Sequence, residues 1–148
     1  MNLNEAKSLL DQISATDGRR VPEAMPAAWL RILGKFSYMD CQAAAEKHFE
    51  ESTEWLMPAH IVRAVKSRRS QRLQSLGPIE VGRHERLDAA EEVQVVREIR
   101  QAVADGALSE DGYRRYANGG APWSDFKLTL RPLSPGAPQN CSLGPGSA

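Results

Sequence analysis

The stretch PAHIVRAVKSRRSQRL, Pro58 to Leu73, decides how the chain reads. Ile61, Val62 and Val65 recur at the i, i+1, i+4 spacing of a helix face turned to a core. One and two turns on, the same face carries Arg68, Arg69 and Arg72, while Arg63 and Lys66 take the opposite side. A buried stripe that turns into arginine predicts a first half packed in a small helical domain and a second half leaving it as a basic stalk. Those five cations are the candidate contacts for nucleic acid or an acidic partner.

Three helices are expected before this one. The first follows Asn2 or Asn4 as N-cap, with Ala6, Leu9, Leu10 and Ile13 on one face, and stops before Thr16-Asp17-Gly18. The second begins near Pro22-Glu23 and gathers Met25, Trp29, Ile32, Leu33 and Phe36. Pro26 must sit in its first turn, where a missing N–H does no harm. The third opens on Ser37-x-x-Asp40, a capping-box pattern, and presents Cys41, Ala44, Ala45, His48 and Phe49. Trp55, Leu56 and Met57 plug the gap before Pro58, with Trp29 and Trp55 as core anchors. Short loops imply antiparallel neighbours in a bundle.

Beyond the stalk, a break at Gly77–Gly82 precedes a fifth helix from about Asp88 to Asp105, ended by Gly106, and a short helix near Glu110–Tyr116. Val93, Val96, Ile99 and Val103 form a stripe on the fifth helix, a candidate docking face. The segment from Pro132 holds four of the nine prolines and almost no charge. It buries too little to offset its ordering entropy. The expected architecture is all-α: a four-helix bundle over 1–75, a linker over 76–87, a helical segment over 88–117 and a disordered tail over 118–148.

Net charge is zero, with 19 basic and 19 acidic residues, but it is unevenly placed. Residues 1–58 carry six bases and nine acids, 59–86 seven bases and two acids, and 87–117 four bases and seven acids. Such alternation suits an adaptor that touches unlike partners better than a protein that coats DNA. Cys41 on a helical face and Cys141 in the tail do not make a structural pair, and a reducing compartment fits. No secretory h-region or spanning stretch is present, so a cytoplasmic location is expected.

Tests for chemistry give little. Cys41 and His48 share a face without the rest of a metal shell. No phosphate loop of the Gly-x-x-x-x-Gly-Lys type occurs, and Glu50-Glu51 and Glu91-Glu92 point about 100° apart on their helices. No cofactor, small-molecule substrate or catalysis is expected. Absence of aromatics between Met57 and Tyr113 argues against single-strand stacking in the basic segment.

Residues 3–72 resemble the N-terminal domain of the phage replicative-helicase loader/inhibitor family, as found in small proteins of actinobacterial phages and prophages. The resemblance rests on Asp17-Gly18-Arg19 in the first loop, Trp29 and Leu33, then Met39, Ala43, Ala44 and Phe49, and Met57-Pro58-Ala59 with Ile61 and Val65. It implies a compact helical domain and a mobile C-terminal region. It also implies binding to a hexameric helicase ATPase, restraint of its activity and delivery to an origin-bound initiator, all in the bacterial cytoplasm. In that family helicase contact is tied to the C-terminal region. Residues 88–117 depart from a simple tail, and no single helicase-binding residue carries over. Two other readings stand beside it: a small DNA-binding regulator using residues 60–86, and a phage assembly adaptor docking through Val93–Val103.

Overall fold

A computed structural model describes residues 1–130, and among these every regular element is helical. The helices are α1 (Leu3–Asp17), α2 (Met25–Leu33), α3 (Tyr38–Glu51), α4 (Pro58–Leu76), α5 (Ala89–Asp105), α6 (Glu110–Asn118) and the short α7 (Trp123–Phe126), which runs into a 3-10 turn at Lys127–Thr129.

The caps follow local chemistry. Asn2 accepts from the Glu5 N–H at 2.9 Å while the Glu5 carboxylate accepts from the Asn2 N–H at 2.7 Å, a reciprocal box that starts α1. Gly18, at φ 70°, ends it in the left-handed region. Asp88 and Glu91 form a second reciprocal box at the start of α5. Ser37 caps α3 through the Asp40 N–H, but the Asp40 carboxylate does not fold back. It is used elsewhere. Helix α2 starts at Met25, later than the expected Pro22-Glu23, which leaves Pro26 in the first turn.

The first core joins Leu9, Leu10 and Ile13 of α1, Trp29 and Leu33 of α2, Cys41, Ala44 and Ala45 of α3, and Ile61 and Val65 of α4, with Phe36 and Leu56 from loops. Ile61 and Val65 are fully buried, each contributing about 1.5–3 kcal/mol of apolar transfer. Ile32, expected in this core, faces outward.

Helix α4 does not leave the bundle as a free stalk. Its far half, through Leu73 and Leu76, packs on a second core of Ile99, Val103, Leu108, Tyr116 and Trp123. One helix thus runs through both cores, and α5 lies along it. The expected linker is also engaged. Tyr113 donates to the Glu80 carbonyl at 3.0 Å and accepts from the Glu80 N–H at 2.8 Å. The Gly82 N–H donates to the Tyr116 hydroxyl, which donates to Glu85 Oε1 at 2.6 Å. The Trp123 N–H donates to the same carboxylate oxygen, and its indole N–H to Glu98 at 2.8 Å. Order therefore extends past the expected tail boundary at 118, because Trp123 packs edge-on against Tyr116 of α6 and completes the second core. The remainder of that expected tail, from 131, and Cys141 lie outside the described residues.

Candidate interaction surface

Five cations of α4 were expected to act together, and packing divides them. Arg63 and Lys66 are exposed and form no ion pair among the described residues. Arg68 is half-exposed and 3.8 Å from Asp40. Arg69 pairs with Asp105 at the end of α5 and lies 5.9 Å from the Phe36 ring centroid. Arg72 donates to both oxygens of Asp40, at 2.7 and 2.9 Å, and to the Ala104 carbonyl at 2.9 Å. Asp40 is only 3% exposed. Arg69 and Arg72 therefore serve as internal clasps, because the acids that face them come from α3 and α5, far away in sequence. A guanidinium also fits the end of α5, where carbonyls without intrahelical partners concentrate negative potential.

The expected docking stripe is divided in the same way. Ile99 and Val103 are sealed in the second core, so neither is available to a partner. Val93 is 59% exposed and Val96 half-buried. The face that packs runs through Val95, Ile99, Ala102 and Val103. Val93 lies two residues before Val95 on α5 and so falls outside the face that packs.

Between α3 and α4 lies a groove of about 590 Å³. Ala43, Ala44, Ala64 and Val65 line it, with Arg63 and Arg68 from α4 and Lys47 and Glu51 from α3. At one end His48 and His60 stack with centroids 4.9 Å apart and planes inclined by 14°. Each ring serves the α3–α4 loop. His48 Nε2–H donates to the Glu54 carbonyl at 2.8 Å, and His60 Nδ1 accepts from the Met57 N–H at 3.1 Å. Among the described residues no three His, Cys, Asp or Glu side chains are placed to share a metal ion. Burial pushes the Cys41 thiol up to about 12, reinforced by the Asp40 charge, so it sits as a protonated core side chain.

The loop itself holds what periodicity missed. Its backbone alternates: Trp55 outward at 56% exposure, Leu56 fully buried, Met57 outward at 49%. Leu56 alone is the plug, since an extended segment sends successive side chains to opposite sides. Trp55 is not a core anchor. It covers Arg19, whose guanidinium lies 4.4 Å from the Trp55 ring and 5.7 Å from the Trp29 ring. Arg19 is buried, chelated by Asp17 and donating to the Leu56 carbonyl at 2.9 Å. That guanidinium holds the Asp17 carboxyl below its ordinary value. Asp17, two residues away, is a local partner that the sequence could offer, but the contacts that bury Arg19, with the Leu56 carbonyl, Trp29 and Trp55, come from distant parts of the sequence.

Compared with protein-family models, curated proteins and solved structures, the chain matches none. Among the described residues no helix is long and apolar enough to cross a membrane.

Proposed function

We propose that the chain is a non-catalytic accessory protein of phage or prophage DNA replication, acting in the host cytoplasm. It binds the hexameric replicative helicase and loads or restrains it, with an origin-bound initiator as a further partner. One observation carries the reading: Trp29, Leu33, Ala44, Ile61 and Val65, central to the resemblance over residues 3–72, converge in a single core. Phe49 packs against that core, while Met39 is exposed. A protein of this kind needs differential affinity for one state of its partner and no reacting groups. The test is pull-down and strand-unwinding with the host or phage replicative helicase. The expected result is a stoichiometric complex with slowed unwinding; failure of the purified proteins to associate refutes the assignment.

A second reading, duplex binding through α4, is favoured by the exposure of Arg63 and Lys66. With Arg69 and Arg72 paired internally, two or three cations remain for phosphates. The slope of log K against log salt is then about −2 to −3, where five contacts would give about −4.5. A flat response removes this reading. The assembly-adaptor alternative loses the inner half of its docking face to the second core.

A further inference from the structure

Helix α4 carries five cations and no acid, and its outward side is polar from Arg63 to Gln74. At about 100° per residue, Arg63, Ser67, Ser70, Gln71 and Gln74 fall within an arc of about 100°, opposite the buried Ile61 and Val65. All five are exposed, and among the described residues the one side-chain hydrogen bond along this ridge joins Gln74 to Ser70, at 3.4 Å. Lys66 lies about 90° to one side of the ridge and Arg68 about 110° to the other. Acids do come near α4, and most are already taken. Of those that line the two clefts beside the helix or pair with it, Asp40 is held by Arg72, Asp105 by Arg69, Glu51 by Lys47 at 3.6 Å and Glu110 by Arg114. Glu54 is the exception, in the loop before the first turn.

Granting the duplex reading of α4, on which this inference rests, we propose that the ridge lies in the major groove and reads base edges, so that the chain recognises a short sequence of duplex DNA. The major groove admits one α-helix, and the residue types suit it. Glutamine pairs with adenine through two bonds, arginine does so with guanine, and serine can donate or accept. Lys66 and Arg68, on opposite flanks, then face the two phosphate walls. Cations supply the sequence-independent part of such binding, and the uncharged amides at the crest supply discrimination. From Arg63 to Gln74 the ridge runs about 16 Å, the length of about five base-pair steps. No aromatic side chain stands on it to stack single strands, and the major groove of an RNA helix is too narrow to enter.

Selection by the purified full chain from duplexes with a randomised core, at about 50 mM salt, tests it. The expected product is a motif of about five base pairs, bound about tenfold or more tighter than a scrambled duplex of equal length and composition. Gln71→Ala and Gln74→Ala should each lower discrimination at one base pair of that motif by about fivefold or more, and leave affinity for the scrambled duplex unchanged. Lys66→Ala should weaken both duplexes alike and make the salt slope shallower by about 1. All three side chains are exposed and belong to neither core, so the variants fold. Binding with no enriched motif, or a motif indifferent to both glutamines, overturns the base-reading ridge and leaves duplex binding standing. No association with any duplex, or tighter binding to oligo(dT), overturns both.

Discussion

Replacing Arg72 and replacing Asp40 should have unequal costs, although the two side chains belong to one ion pair. Asp40 is 3% exposed and receives two bonds from Arg72, whose own side chain is 30% exposed and also holds the Ala104 carbonyl. Arg72→Ala leaves a buried carboxylate with only Arg68, 3.8 Å away. Breaking a buried pair from one side costs about 3–5 kcal/mol, and the solvent-exposed edge of this pair places the loss at about 3. Asp40→Asn keeps an acceptor of the same shape, and the guanidinium left behind can reach water. The cost there is about 1–1.5 kcal/mol, including the lost charge near the start of α3. In the double variant the buried charge is absent, so the two losses fall short of additivity by about 1–2 kcal/mol. Urea unfolding of the full chain, followed by circular dichroism and tryptophan fluorescence, reads these numbers. At a slope of about 1.5–2 kcal/mol per molar urea, Arg72→Ala lowers the midpoint by about 1.5–2 M. Equal costs, or a larger loss for Asp40→Asn, would refute the argument that the stranded carboxylate dominates.

Three further outcomes follow from the same contacts. Gly106 sits at φ 79°, and a Cβ there would come within 2.9 Å of Arg72 Cζ, so Gly106→Ala should cost about 2 kcal/mol. In an Arg72→Ala background only about 1 kcal/mol of backbone strain should remain, which denaturant midpoints will show. Cys41 keeps its proton up to about 12 against an ordinary 9.0, and burial together with Glu85 raises the Tyr116 hydroxyl above 10.0. Both raised groups stabilise the fold fully below the unfolded-chain values. That stability is lost from pH 9 upward for Cys41 and from pH 10 for Tyr116, at up to about 1.4 kcal/mol per pH unit each. Between pH 9 and 10, Cys41→Ala should flatten the fall in urea midpoint relative to the parent chain. Trp123→Ala removes the plug of the second core and its bond to Glu98, a loss of about 3–5 kcal/mol. The α5–α6 region should then melt before the bundle, with Trp29 emission unchanged through the first of two transitions.

How far the sequence could be read follows from the range of each interaction. The helices, their caps and the inward faces of α1, α3 and α4 are set by neighbours three or four residues apart. Asn2 with Glu5, Pro58 in a first turn, and Ile61 with Val65 could therefore be recognised without coordinates. The bundle and the all-α class follow from those signals. Spacing alone was less secure where a one- or two-residue shift changes the face. The spacing puts Val93 on a stripe whose packed face runs through Val95, and it points Trp55 inward where an extended loop turns it out.

What α4's arginines do was decided in three dimensions. Asp40 lies 32 residues before Arg72, and Asp105 lies 36 after Arg69. Local pattern cannot distinguish an arginine aimed at a phosphate from one aimed at a distant carboxylate. Packing α3 and α5 against the same helix brings those acids into reach and makes internal clasps of Arg69 and Arg72. Arg63 and Lys66, which form no ion pair among the described residues, stay on the surface. Sequence alone thus determined that a basic helix exists and which half of it is buried in the bundle. Which cations remain for a partner depended on contacts between segments that only the folded chain brings together.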